Sequence, residues 1–239
     1  LDPINFESTS EPFIVAQEAG FPSVSLDGTL VYRSGSEVGQ GQLVWVDRSG
    51  QVTGTIGQPK EEMVNPSLSP DGRQVAVQAS EQGNAADVWV YDTQRGTATR
   101  LTFDERFDGI SAWSSDGIEV VFTSTRNGNA DLFRRRADGS GVVTSLLSSP
   151  VVEWAPDWSR DGRFVGYGSG NDIWAFEPGG DGEPFALFET EHNEQWPAFS
   201  PDSRYVAYHS NESGRNEVYA MRFPSGQGRW QVSSEGGQR

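Results

Sequence analysis

The sequence predicts an all-β repeat fold, and three observations predict it. An Asp-Gly or Asp-Ser turn recurs at Asp27, Asp71, Asp116, Asp161 and Asp202, at intervals of 44, 45, 45 and 41 residues. Each copy lies between the same two kinds of short apolar run. No segment sustains an apolar period of 3.6 residues, so helix is not expected. A period of this size marks a stack of equivalent units. Four short antiparallel strands per unit, packed face to face around an axis, make a β-propeller, which leaves only short sheet edges.

The second repeat shows the plan most clearly. Residues 65–69 form the first strand, with Leu68 as its apolar anchor. Ser69-Pro70-Asp71-Gly72 is a β-turn: proline presets φ, aspartate bonds local backbone, and glycine accepts positive φ. Gln74-Val75-Ala76-Val77 is the second strand and Val88-Trp89-Val90-Tyr91 the third, dense in β-branched and aromatic residues. Thr97 to Leu101 is the fourth.

The other repeats follow. First-strand anchors are Val24, Leu68, Trp113, Trp158 and Phe199. One third-strand position carries Trp45, Trp89, Phe133, Trp174 and Tyr219, a pattern expected of packing between sheets. The expected blades are about 21–60, 61–104, 105–149, 150–190 and 191–235, within a single domain over 1–239. A lone strand at 11–17, around Phe13-Ile14-Val15, has no partners of its own. It is expected to be the outer strand of a sixth blade whose inner strands lie beyond Arg239, so the chain reads as a fragment.

Composition supports a layered repeat. The hydrophobic fraction is 35%, with 28 Gly and 13 Pro for many reversals, and 8 Trp and 13 Phe to fill space between sheets. Net charge is −16. Nucleic acid is disfavoured, because affinity for phosphate backbones rests on Lys and Arg. The one basic cluster, Arg134-Arg135-Arg136, reads as a solvated strand whose side chains alternate between faces. No apolar run approaches the roughly 20 residues that span a bilayer. There are no cysteines, so disulfides and thiolate metal sites are excluded. The chain starts at Leu1 with no signal peptide, and a leader or upstream domain is expected to have been removed.

Pro66-Ser67-Leu68-Ser69-Pro70-Asp71-Gly72-Arg73 and Pro197-Ala198-Phe199-Ser200-Pro201-Asp202-Ser203-Arg204 resemble the WD40-like (PD40) repeat of TolB-type propellers. Looser copies stand at Trp113-Ser114-Ser115-Asp116-Gly117 and Trp158-Ser159-Arg160-Asp161-Gly162-Arg163. The acids Asp87, Asp131, Asp172 and Glu217, opening the third strands, also fit. Leu43 replaces the acid in the first repeat, and Ser203 replaces the turn glycine in the fifth. The stretches 30–35, 43–48 and 211–219 resemble propellers attached C-terminally to bacterial serine/threonine kinases. The resemblance implies a six-bladed TolB-like type, with five blades and one strand in this chain. It also implies a periplasmic or extracytoplasmic sensing module.

The search for chemistry returns little. No Gly-x-Ser-x-Gly elbow is present, since Gly166-Tyr167-Gly168-Ser169-Gly170 has the letters in the wrong register. His192 and His209 are the only imidazoles, and neither stands in a triad pattern. Glu191-His192-Asn193-Glu194 lacks zinc spacing. The third-strand acids are expected to bond nearby backbone or hydroxyl groups. No cofactor is expected; calcium on oxygen ligands is the weaker alternative.

Binding suits the frame better, because loops between blades carry variable residues on a rigid scaffold. The segments entering the first strands carry Met63 and Asn65; Arg106 and Asp108; Glu153 and Trp154; and His192, Glu194 and Trp196. Trp154 and Trp196 read as equivalent by their nearness to Pro156 and Pro197. The expected role is non-enzymatic binding of a protein, a peptide or a small ligand, with missing domains of the same polypeptide alongside. The alternative is the substrate-gating propeller of an S9-type serine peptidase that lacks its hydrolase domain here.

Overall fold

The computed structural model describes residues 19–24, 30–34, 40–47, 49–81 and 83–237. The strand expected at 11–17 and the turn at Asp27 lie outside them. All regular structure among the described residues is β. The chain divides into two compact units, Val15–Pro156 and a second that contains Asp157–Arg239.

The first sheet has seven strands in sequence order: β1 (Ala19–Val24), β2 (Leu30–Ser34), β3 (Gln40–Val46), β4 (Val52–Leu68), β5 (Gln74–Ser80), β6 (Asp87–Asp92) and β7 (Ala98–Arg100). It holds two repeats joined by one long strand. The early part of β4 pairs with β3 and its later part with β5, and Glu61 pairs on both sides, with Gln40 and Ser80. Separate fourth and first strands were expected here. Two bulges let one strand serve both.

Three four-stranded antiparallel sheets follow. The first is β8 (Asp108–Trp113), β9 (Glu119–Ser124), β10 (Asp131–Arg136) and β11 (Thr144–Leu147). The second is β12 (Glu153–Trp158), β13 (Val165–Ser169), β14 (Asp172–Phe176) and β15 (Phe185–Ala186). The third is β16 (Glu194–Phe199), β17 (Tyr205–Ser210), β18 (Glu217–Arg222) and β19 (Arg229–Gln231). The last strand of each is short, which limits unpaired edge.

Within Val15–Pro156, one core layer gathers Leu43, Ile56, Met63, Leu68, Val75, Val77 and Tyr91 with Trp45 and Trp89. Leu43, in place of an acid, is fully buried there. A second layer joins Ala76, Val88, Leu101, Trp113, Val120, Phe122 and Phe133. In the other unit Phe164, Ala175, Val206 and Phe223 form one layer, and Ile173, Tyr208, Tyr219 and Met221 another.

The turns are more elaborate than a Pro-Asp-Gly reading implies. The serine two residues before the aspartate donates its hydroxyl to it: Ser69 to Asp71 (2.7 Å), Ser114 to Asp116 (2.6 Å), Ser159 to Asp161 (2.7 Å) and Ser200 to Asp202 (2.7 Å). The same serine oxygen accepts the N–H that opens the second strand, from Gln74, Glu119, Phe164 and Tyr205. The aspartate accepts a second bond from backbone, as from Arg73 N–H at 3.0 Å. These bonds favour the ionised form. The Ser200 hydroxyl and then Arg204 hold Asp202 down at about 2. Glycine takes φ of 68°, 70° and 77° at Gly72, Gly117 and Gly162, and Ser203 adopts 56° in the fifth repeat.

Candidate functional site

The inner strands share a feature the sequence pattern does not display. Three residues before each anchor, a non-glycine residue has positive φ: Asn65 (52°), Ile110 (48°), Ala155 (52°) and Trp196 (59°). Register shifts accompany it at Val64/Ser67, Gly109/Ser111 and Gln195/Ala198. Each is a β-bulge, which bends the strand and re-aims the side chains near its entry end. A left-handed β-branched residue such as Ile110 is a genuine outlier.

The bulge corrects the alignment of two tryptophans. Trp196 is the left-handed residue of its strand, whereas Trp154 precedes the left-handed Ala155. Trp154 is therefore equivalent to Gln195, and Trp196 to Ala155. The proline follows the left-handed residue directly in both strands, so Trp154, two residues before Pro156, and Trp196, one before Pro197, stand one position apart.

The same count aligns Met63, Asp108, Glu153 and Glu194, each five residues before its anchor. All four are fully buried, with exposures of 0%, 0%, 1% and 0%. Met63 belongs to the apolar core and does not line a binding mouth. Asn65 is also buried and donates to the Gln78 side chain at 3.1 Å. Arg106 is exposed, Trp154 half-buried, and both lie with Asp108 and Glu153 in Val15–Pro156. His192 and Trp196 are half-buried in the other unit, where the His192 N–H donates to Thr190 Oγ1 at 3.0 Å.

The buried acids have specific partners. Arg126 Nη2 donates to both oxygens of Asp108, at 3.0 and 2.8 Å, while its Nε reaches Ser124 Oγ at 2.8 Å. The guanidinium lies 4.7 Å from the Phe133 ring centroid. Glu194 accepts Thr190 Oγ1 at 2.9 Å on each oxygen and Ser210 Oγ at 3.1 Å, with Arg229 at 3.9 Å. The third-strand acids behave as expected in three repeats, and Asp172 accepts the Thr190 N–H at 3.3 Å. Asp87 accepts from Arg100 Nη2 (2.5 Å) and Thr102 Oγ1 (3.0 Å), although burial still pushes its carboxyl up. Glu217 accepts from Ser233 Oγ (2.5 Å), Gly236 N–H (2.8 Å) and Arg215 (2.7 Å). The serine bond foremost holds it below the usual carboxylate range.

The arginine triplet is spent internally. Arg134 pairs with Glu119 at 3.2 Å, Arg135 donates to the Leu101 and Gly139 carbonyls, and Arg136 pairs with Asp138 at 3.3 Å. His209 has its Nδ1 buried without a hydrogen-bond partner, and burial pushes the imidazole below its ordinary value. Among the described residues, no three His, Cys, Asp or Glu side chains converge as a metal cage. No helix among them is long and apolar enough to cross a membrane.

A family model described as the TolB beta propeller domain, PD40, matches residues 21–238. An uncharacterized peptidase, YuxL, of Bacillus subtilis (strain 168) is 25% identical over 180 residues, covering 56% of this chain and 27% of that protein. The chain spans less than half the length of the curated relatives it matches, at 27% and 44%. Among solved structures, putative TolB from Agrobacterium tumefaciens superposes with a TM-score of 0.76 at 21% identity, over 90% of this chain and 80% of that one. TolB from Acinetobacter baumannii gives 0.75 at 24% identity, over 92% of this chain and 55% of its own. These likenesses establish the fold, and the seven-stranded sheet and three four-stranded sheets among the described residues are consistent with its blades.

Proposed function

This chain belongs to the TolB β-propeller family, and from that premise we propose that it is a non-enzymatic module that binds a protein or peptide at the entry ends of the inner strands in its Val15–Pro156 unit. The observation that carries the reading is the recurring left-handed residue at Asn65, Ile110 and Ala155 of that unit. Each such residue costs of order 1–3 kcal/mol, and strain of this kind clusters where a ligand is clamped. Half-buried Ile110 and Trp154 sit at or beside these residues, and aromatic anchors dominate binding energies. A net charge of −16 favours a basic segment as the guest. No cofactor enters this reading.

The module is the extracytoplasmic sensor of a longer polypeptide, a bacterial receptor kinase in the first instance. The match to only part of its relatives supports a longer polypeptide, and the resemblance to kinase-linked propellers supports the kinase. The peptidase named among those relatives favours a second reading, the substrate gate of a serine peptidase. A kinase domain and membrane span upstream in the reading frame supports the first. A Gly-x-Ser-x-Gly elbow downstream supports the second.

The binding reading is tested with a random peptide-display library selected on the immobilised chain, then with Ile110→Gly and Trp154→Ala. Selected peptides should be rich in Arg, Lys and aromatic residues. Ile110→Gly should keep or raise Tm, because glycine relieves the left-handed strain, while weakening peptide binding about tenfold. Peptides whose affinity survives both substitutions would remove these inner-strand ends as the site.

A further inference from the structure

The acids at the blade junctions come in pairs, all buried except half-buried Asp172. The N–H of each inner-strand acid donates to the carbonyl just before a third-strand acid: Asp108 to Ala86 (2.8 Å), Glu153 to Ala130 (2.8 Å) and Glu194 to Asn171 (2.7 Å). This clip sets Asp108 beside Asp87, Glu153 beside Asp131, and Glu194 beside Asp172. The first pair is compensated by Arg126 and Arg100, with the Thr102 hydroxyl. The Glu194 pair has two hydroxyls and Arg229.

The middle pair differs. Asp131 and Glu153 are each 1% exposed. Asp131 Oδ1 and Glu153 Oε2 have no hydrogen-bond partner. Neither acid forms an ion pair with any described Lys, Arg or His, and the Ser149 hydroxyl near Glu153 donates to the Val151 carbonyl at 3.2 Å. The reason lies in the fourth strand. Arg100 stands opposite Trp89 in the preceding repeat, whereas Ser145 stands opposite the equivalent Phe133. A buried carboxylate without a counter-charge costs several kcal/mol, so two of them side by side call for a positive occupant.

We propose that Asp131 and Glu153 hold a divalent cation of the calcium class. The donors are all oxygens: two carboxylates, and the hydroxyl of Ser149 beside Glu153. Oxygen donors select a hard cation. Two carboxylates neutralise a double charge, and a small ion enters where a guanidinium lacks room. Calcium accepts irregular geometry completed by carbonyls and water, whereas magnesium demands a near-ideal octahedron. The ion takes the part that the arginines play at the preceding junction. It ties the start of β10 to the start of β12, where the Asn129 side chain already holds the Ser149 and Val151 carbonyls at 3.3 and 3.0 Å. The proposal stands on its own whether or not the inner-strand ends bind a peptide.

The test uses the whole chain stripped with EGTA, then titrated with Tb³⁺ and with Ca²⁺. Trp154, next to Glu153, is placed to sensitise terbium luminescence. The expected result is a saturable signal displaced by Ca²⁺ with a dissociation constant of about 10⁻⁴–10⁻³ M, the range of sparsely charged sites, and a rise in Tm with Ca²⁺. Asp131→Asn and Glu153→Gln should both abolish the signal and the Tm response. Glu153→Gln mimics the protonated acid, so its fold survives and the test stays decisive. No saturable response up to about 10 mM Ca²⁺, tenfold above that range, would overturn the proposal. So would a response that persists in both variants, which would place the ions on the acidic surface.

Discussion

The Asp87/Asp108 and Asp131/Glu153 junctions share one backbone clip and one degree of burial, yet their charges are settled differently. At the first, Arg100 and Arg126 reach across from neighbouring strands at 2.5 and 2.8 Å. At the second, no such arm exists and two carboxylate oxygens stand without partners. The repeat backbone therefore dictates where acids meet. Individual strands decide whether the meeting is closed by protein or left for something else. A junction sealed by arginine is a structural joint, whereas an unsealed one is a site.

The largest expected effect comes from opening the sealed junction. Arg126→Met removes the bidentate partner of a fully buried Asp108 while keeping bulk over Phe133. It should cost about 3–5 kcal/mol, the usual penalty for orphaning a buried charge, read as a lowered midpoint in urea unfolding. A loss below about 1 kcal/mol, typical of exposed pairs, would mean that the two junctions do not differ in the way described.

The next effect lies in the pH profile. Burial foremost, and then the charge of Asp131, pushes the Glu153 carboxyl above its ordinary range. A raised carboxyl stabilises the fold below its unfolded pKa and loses that contribution as pH rises through the folded value. In calcium-free buffer, Glu153→Gln should therefore raise Tm at pH 7 relative to the native chain, with the difference closing toward pH 4. The turn aspartates run the other way. Asp202, held at about 2, contributes above its unfolded value and loses that contribution as pH falls from about 4 to 2. Thermal melts from pH 2 to 8 on both proteins separate the two trends. An identical profile for Glu153→Gln would remove Glu153 as a strained acid.

The smallest effect sharpens the comparison by transplant. Ser145→Arg supplies the second junction with the arm that Arg100 gives the first. It should add about 1 kcal/mol or less, since the new arginine is partly exposed, and it should blunt the calcium response. Unchanged melts with and without calcium would show that Ser145 does not occupy the place of Arg100.

Much of this fold is legible in the chain because its signals are local. Turn chemistry at Ser-x-Asp-Gly, alternation in the strands and a recurrent third-strand aromatic all act within a few residues. The long β4 is not legible, since two bulges rather than a turn join the repeats there. The candidate site is less legible still. Met63, Asp108, Glu153 and Glu194 look like residues of the segments that enter the first strands, yet all are buried. A count back from the anchors aligns them, but only the bulge shows that the count is the right one. The hydroxyls of Thr102, Thr190 and Ser233, which meet the buried acids from the ends of the fourth strands, had a faint signal as Thr or Ser after an apolar run.

By itself the sequence determined the repeat, the antiparallel four-strand unit, the turn chemistry and a net charge of −16. These depend on spacing, propensity and summed charge, which need no knowledge of what touches what. The tertiary structure alone decided the left-handed bulges, the burial of the inner-strand acids and the difference between the two junctions. Those depend on which side chain of one strand reaches which carboxylate of another. In a low-dielectric interior such contacts separate a compensated charge from an orphaned one, and no spacing within a single repeat encodes them.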